Sequence, residues 1–176
     1  PVLSGKVVSI IEGYKATQSD PKTGREKFRM LAAKDVGYED GRHELEKVDL
    51  TAFDIEKGKS LRVLSDRGTY LRDQSQVTFS GNVRMRSSDG LEVLTETVIY
   101  EQQSEIARTE VPVRFRHGEV SGSSVGATLR SKDHVLTLPQ SPHVVIADTD
   151  PNKKNAQPVE IRGDRAEYVE KDGTVK

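Results

Sequence analysis

The sequence predicts an all-β protein built from antiparallel strand pairs that repeat at a fixed interval. Three observations predict it: strict alternation of apolar and polar residues, an internal repeat of about thirty residues, and no sustained helical spacing of apolar residues. The stretch "VTFSGNVRMR" (77–86) shows the alternation, with Val77, Phe79, Val83 and Met85 on one face. Such alternation is typical of a strand that is buried on one face only.

The composition fits a thin sheet better than a thick globular core. Of the 176 residues, 34% are hydrophobic and 31% are charged, yet the apolar residues are too regular for a disordered chain. The 27 basic and 28 acidic residues are spread along the chain, so no nucleic-acid partner is expected. The absence of cysteine excludes disulfides, thiolate catalysis and cysteine-based zinc sites.

The internal repeat is clearest where residues 65–86 align without a gap to residues 95–116. This alignment matches Ser65 to Thr95 and Tyr70 to Tyr100. Strand pairs at a fixed period predict stacked units that share one continuous apolar face. Further copies are expected at 33–38, where Tyr38 takes the tyrosine position, at 124–146, where Leu129 does, and at 163–173.

Each unit is expected to contain a strand that ends near the tyrosine, a polar turn and a second strand. The sequence "SSDG" (87–90) is a good hairpin turn, because Asp-Gly tolerates positive φ. A short helix is considered only within 20–30 or in the N-terminal strip. The predicted polar turns are 39–44, 72–76, 101–105 and 130–134, and the predicted second strands are 45–53, 77–86 and 134–138.

These units predict one β domain over 1–147, a linker or long loop over 148–158, and a partial further β-repeat over 159–176. A right-handed β-helix is the neighbouring alternative. Its coils are usually shorter and carry regular Gly or Asn turns, which this sequence lacks, so antiparallel pairing is favoured. The chain begins at Pro1, and a targeting or anchoring segment is expected to precede it in the natural protein.

Four stretches then resemble the periplasmic lipopolysaccharide-export family, the LptC/LptA/OstA-like group, and its membrane-anchored LptC component most closely. The order of "GNV", a "DG" turn, "LEVLTETVIY" and "TEVPV" carries the resemblance. It implies an OstA-like β-jellyroll, or β-taco, with an open groove that has an apolar lining. The four stretches are 28–38, 61–103, 107–115 and 122–138.

The same resemblance implies a function and a set of partners. The ligand would be lipopolysaccharide, whose acyl chains the groove shields between an inner-membrane ABC transporter and the outer membrane. The protein partners would be that transporter and other Lpt jellyroll proteins joined edge to edge, with head-to-tail stacking of identical copies left open. The location would be the periplasm, with an inner-membrane anchor outside this chain. No cofactor is expected.

The candidate groove lining follows from the inward parity of the strands. These residues either shield acyl chains or only pack against one another, and for any single residue packing is the more frequent outcome. Met30 and Met85 would adapt to irregular acyl chains, because their side chains are flexible. The candidates are Phe28, Met30, Leu50, Val63, Phe79, Val83, Met85, Val113, Phe115, Leu136 and Leu138, with Val48 and Val77 as further inward positions.

A candidate partner edge lies in residues 4–15, because "KVVSII" is strand-prone and precedes the first full repeat. Its proposed contact residues are Val7, Val8 and Ile10. On the outward parity, Arg84, Arg86, Arg114 and Arg116 are expected to form a solvated face, with phosphate or acidic partners as the alternative.

Catalytic and metal-binding patterns are weak in this sequence. The four histidines lie far apart, with no H-x-H or H-E-x-x-H spacing, and the Gly/Ser-rich stretch 118–127 contains no nucleophile elbow or phosphate-binding lysine. No catalytic residue or metal site is therefore expected. Two other classes stay open: a structural or adhesive β-repeat protein without a ligand, and, less favoured, a polysaccharide-active enzyme on a β-solenoid.

Overall fold

The structure is a computed structural model that describes residues 5–54, 58–71, 75–148, 152–153, 157–169 and 172–176. Within these ranges the chain forms thirteen strands and no helix, which confirms the predicted all-β class. The strands are β1 (Val7–Ser19), β2 (Glu26–Tyr38), β3 (Arg42–Asp54), β4 (Lys59–Leu71), β5 (Gln76–Ser87), β6 (Glu92–Glu101), β7 (Ile106–His117), β8 (Val120–Arg130), β9 (Val135–Leu138), β10 (Gln140–Ile146), β11 (Val159–Arg162), β12 (Ala166–Val169) and β13 (Thr174–Val175).

Consecutive strands pair in antiparallel fashion from β1 to β9, so most of the sheet is a meander. Next, β12 pairs with β9 and β13 pairs with β12, while β10 pairs with both β8 and β11. All these pairings are antiparallel, which excludes the parallel β-helix that the sequence had left as an alternative.

A line of irregular residues crosses the sheet near the middle of the long strands, and we call it the crease. The pairing register shifts there between β4 and β5, between β5 and β6, between β6 and β7, and between β7 and β8. Bulges and positive φ angles bend a strand and increase its twist. The residues on this line with positive φ are Gly13 (66°), Lys47 (52°), Gly81 (80°), Asn82 (48°), Gly126 (79°) and Ser141 (50°).

The crease divides the sheet into two halves that pack face to face. We call layer A the half that carries Tyr70 and Tyr168, and layer B the half that carries Met85 and Phe115. The rings of Phe115 and Tyr168 stack across the two layers, with 5.9 Å between their centroids. One open sheet is therefore folded on itself around a single apolar core, which confirms the β-jellyroll or β-taco arrangement.

The last strands continue this arrangement. The chain crosses from layer A to layer B at Pro139, which alone separates β9 in layer A from β10 in layer B. Strand β11 then pairs with β10 and extends layer B, and β12 pairs with β9 and extends layer A. The segment expected to be a partial further repeat, 159–176, thus pairs with the same sheet through its described residues, whereas most of the predicted loop 148–158 lies outside the residues that the structure describes.

The prediction of a short helix within 20–30 or in the N-terminal strip was wrong, because the described residues there form strands and a turn. The chain reverses after Asp20, whose carboxylate accepts hydrogen bonds from the backbone N–H groups of Lys22 (2.7 Å) and Thr23 (2.9 Å). Gly24, with φ of 69°, closes the turn and donates to the Asp20 carbonyl (2.8 Å). An aspartate that satisfies the backbone in this way stabilises a tight turn rather than a helix, and the flanking residues pair as β1 and β2.

Candidate functional site

An unbroken apolar ladder runs across the inner face of layer B. Its rungs are directly paired residues of neighbouring strands, so their side chains stand side by side on the same face. Cross-strand neighbours of this kind form a continuous strip that is perpendicular to the strands. The rungs in order are Met30, Leu50, Val63, Met85, Val93, Phe115, Gly122 and Val144.

A second ladder faces it from layer A. It begins at His43 on β3 and ends on β13, and aromatic rings occupy several of its rungs. The rungs in order are His43, Tyr70, Val77, Tyr100, Ala107, Leu129, Leu136, Tyr168 and Val175.

All the groove-lining candidates lie on the inner faces of these layers. Ten of them are buried in one cluster, and Phe28 is half-buried at its margin. Their role in binding a lipid stays a prediction. Several core residues were not among the candidates, notably Leu45, Val98, Tyr100 and Tyr168. The repeated tyrosine position indicated that Tyr100 and Tyr168 are core residues, because each lies near the end of a strand at the same point of the internal repeat.

Buried side chains of the two layers pack together in one apolar cluster. Met85 and Val93 from layer B and Leu129 and Leu136 from layer A line a cavity of about 10 Å³. Such a volume holds about one water molecule. Around this cavity the inward side chains therefore pack against one another, so an acyl chain would fit here only if the two layers moved apart.

Polar contacts join the free tips of the two layers around Asp89, which lies in the turn between β5 and β6. Lys59 donates to its carboxylate at 2.7 Å and holds the pKa of Asp89 below its usual value. His134 Nδ1, from the turn between β8 and β9, lies 3.6 Å from the same carboxylate. His117 Nε2 donates to the Asp89 carbonyl (2.8 Å), and its Nδ1 contacts the hydroxyl of Tyr168. These contacts close the open side of the taco near its C-terminal end.

A second polar group closes the end near β1. The hydroxyls of Tyr14 and Tyr70 lie 3.0 Å apart, and the His43 ring stacks on Tyr70 with 4.7 Å between centroids. His43 Nδ1 in turn donates to the fully buried carboxylate of Asp35, with both carboxylate oxygens at 3.0 Å. A buried carboxylate with this partner satisfies its hydrogen-bonding need inside the core.

The candidate partner edge lies in β1, which is the first strand of the sheet and pairs with β2. Val7 is 46%, Val8 60% and Ile10 59% exposed, and Ile11 is 46% exposed beside them. The register slips by one residue between Val7 and Ser9, so Val8 is the extra residue of a bulge. An exposed apolar strand at an edge is a template for strand addition.

The described residues contain no cluster of metal-ligating side chains and no helix with the length and apolarity to cross a membrane.

The four arginines of the repeated "VRMR" and "VRFR" endings lie on the outer face of layer B. Among them, Arg86 forms an ion pair with Glu92 at 3.1 Å.

A folded antiparallel sheet around one apolar core defines this protein as a β-jellyroll of the taco type. The model of a family described as "Lipopolysaccharide-assembly, LptC-related" matches residues 2–141. Because this match spans well over half of the 176 residues, the chain belongs to the LptC-related family, which confirms the resemblance seen in the sequence. The family places the protein in lipopolysaccharide transport and assembly. A search of curated proteins found no match.

Proposed function

We propose that this protein is a non-enzymatic lipopolysaccharide-transport module of the periplasm, which holds acyl chains between its two layers. The observation that supports it is the apolar ladder of layer B, which runs across eight strands from Met30 to Val144. The family supplies the identity of the ligand. The protein would receive lipid from an inner-membrane ABC transporter while anchored to that membrane, and pass it toward the outer membrane.

Acyl chains would enter through the free tips of the layers, with the crease acting as the hinge. The tips are joined by polar contacts around Asp89, which water replaces readily once they part. Inside, an acyl chain would replace the side chains of the facing layer and keep the apolar faces out of water. Each methylene buried in this way contributes about 0.8 kcal/mol.

Photo-crosslinking in intact cells tests this function. A photoreactive amino acid is introduced at Phe79 or Phe115, and in a control at Thr78, whose side chain lies on the opposite face of β5. We expect lipopolysaccharide adducts at Phe79 and Phe115 and none at Thr78. Absence of adducts at both inward positions, with the protein folded and transport active, would contradict the proposal.

We also propose that β1 receives a strand from a neighbouring jellyroll protein of the same transport system. Exposed Val8 and Ile10 supply apolar contacts there, and the outer side of β1 supplies backbone groups. Val8→Pro removes one backbone N–H at the bulge, where the ladder to β2 is already interrupted. It should abolish co-purification of the partner, whereas Val8→Ala should keep it. Equal co-purification with both variants would rule out strand addition at this point.

A structural β-repeat protein without a ligand is the second candidate, and the small interior cavity favours it. In that case the ladders would serve only as core. The two candidates differ in the crosslinking result at Phe79 and Phe115, because a purely structural core never contacts lipopolysaccharide.

A further inference from the structure

A groove of about 550 Å³ lies on the outer face of layer B, on the side of the sheet opposite the apolar ladder. It adjoins the crease, where β6 and β7 are not paired between Leu94 and Ile99. At this point the two strands lack a regular hydrogen-bonded ladder. The outward residues Arg84, Leu94, Glu96, Arg114 and Ser123 contribute to its lining, together with Ser141 from β10.

The strand register places two arginines on either side of this groove. Arg84 pairs with Leu94, and Leu94 pairs with Arg114, so the two arginines lie two strand spacings apart, about 10 Å between their Cα atoms. Both guanidinium groups are on long side chains that reach the same space. Leu94 forms an apolar floor between them.

Arg84 and Arg114 lack the carboxylate partners that Arg86 and Arg62 have among the described residues. Arg86 pairs with Glu92 at 3.1 Å, and Arg62 pairs with Asp49 at 2.6 Å on the same face. Neither Arg84 nor Arg114 has an ion pair or a side-chain hydrogen bond within the described ranges of the chain. The groove lining contains one carboxylate, that of Glu96, so the lining carries a net positive charge although the whole chain carries a net charge of -1.

We propose that this groove binds the phosphate group of an organic phosphate ester. The guanidinium forks of Arg84 and Arg114 match phosphate oxygens from two sides, and the hydroxyls of Ser123 and Ser141 are further donors at the groove. Leu94 contacts the apolar part of the ester, and Glu96 accepts a hydrogen bond from its hydroxyl or amino group. The site is separate from the apolar interior, so its failure leaves the proposed lipid function unaffected.

Nuclear magnetic resonance titration at low ionic strength tests the site, with glycerol 1-phosphate as the probe. We expect saturable shifts at Arg84, Leu94, Arg114 and Ser123 that diminish with salt, because exposed charges are screened. The double variant Arg84→Gln/Arg114→Gln should weaken binding at least about tenfold, since both charge-assisted contacts are lost. Glu96→Gln should instead tighten binding about twofold, because the Gln amide oxygen still accepts the hydrogen bond while the charge that repels phosphate is removed.

The matched control is Arg67→Gln/Arg108→Gln, which removes the same charge from the outer face of layer A. It should change the affinity by less than about twofold, because exposed charges at that distance are screened. Equal weakening by both double variants would show a general charge effect and overturn the proposal. So would the absence of saturable shifts in the wild-type protein.

Vesicles distinguish the two sources of a phosphate ester. Retention on phosphatidylglycerol vesicles, absent on phosphatidylcholine vesicles and lost in Arg84→Gln/Arg114→Gln, would identify a lipid headgroup as the ligand. Saturable binding of glycerol 1-phosphate without vesicle retention would identify a soluble phosphate ester. Either result supports the site.

Discussion

The buried hydroxyl of Thr95 donates a hydrogen bond to the carbonyl oxygen of Pro112 (2.9 Å), across the point where β6 and β7 lose their regular pairing. Two other buried hydroxyls have the same role at the crease. Ser65 donates to the Arg67 carbonyl and Ser124 to the Gln140 carbonyl, each at 2.8 Å. These side-chain hydroxyls therefore donate hydrogen bonds to backbone carbonyl groups that lose their cross-strand partners at the bend.

Thr95→Val is expected to lower the free energy of unfolding by about 1–3 kcal/mol. The substitution keeps the shape of the side chain but leaves the Pro112 carbonyl without its donor. Thr95→Ser retains the hydroxyl and should cost less. Urea denaturation of the three proteins measures the difference, and equal stability of Thr95→Val and Thr95→Ser would show that the hydrogen bond contributes nothing.

Gly122→Ala is expected to destabilise the protein by about 1–3 kcal/mol. A Cβ at Gly122 would lie 2.6 Å from both the His143 carbonyl oxygen and Cε1 of Phe115, so the ring or the backbone must shift. Gly163→Ala is the control, because its Cβ would meet no atom closer than 3.7 Å. Thermal unfolding should separate the two variants, and a melting temperature of Gly122→Ala equal to that of Gly163→Ala would refute the steric argument.

Asp35 and His43 are expected to show a coupling free energy of about 1–3 kcal/mol in a double-mutant cycle. His43→Phe keeps a ring on Tyr70 but leaves the buried Asp35 carboxylate unpaired, and Asp35→Ala leaves the imidazole without an acceptor. The double variant should therefore lose less stability than the two single losses combined. Additive losses would mean that the pair acts as two independent core residues.

Stability should fall with rising pH above about 10 partly through Tyr100. Burial raises the pKa of its hydroxyl above the ordinary value of 10.0, so the unfolded chain loses this proton first. The unfolded state then binds fewer protons than the folded state, and the free energy of unfolding decreases by up to about 1.4 kcal/mol for each pH unit. Tyr100→Phe should flatten this alkaline decrease in denaturation curves measured from pH 8 to 12. An unchanged slope would contradict the assignment.

Period-two alternation predicted the strands and their inward faces, as in "VTFSGNVRMR". Phe79 and Val83 both point inward there although Gly81 and Asn82 bend the strand between them. The stretch that reads as one strand therefore supplies both layers, since the residues before the bend lie in layer A and those after it in layer B. Alternation along one strand does not show where the sheet folds, because the crease depends on the pairing of many strands.

The internal repeat predicted correctly which tyrosines share an inner position where its period stayed constant. It failed to do so where the period changed. Tyr70 and Tyr100 occupy the same inner ladder, but Tyr38 lies one residue out of step and its hydroxyl donates to exposed Glu44 at 2.9 Å. Gly37 takes the inner position, opposite His43. A slip of one residue moves a side chain to the other face of a sheet, so an alignment of tyrosines could not detect it.

The claim that lipid lies between separable layers is tested most directly by locking the free tips together. The chain has no cysteine, so Asp89→Cys/His134→Cys introduces a single pair across the opening. A short bifunctional thiol reagent would join the tips, and the same variant without the reagent is the reference. We predict that the joined protein loses lipopolysaccharide binding by at least about tenfold. Undiminished binding by the fully joined protein would contradict the account.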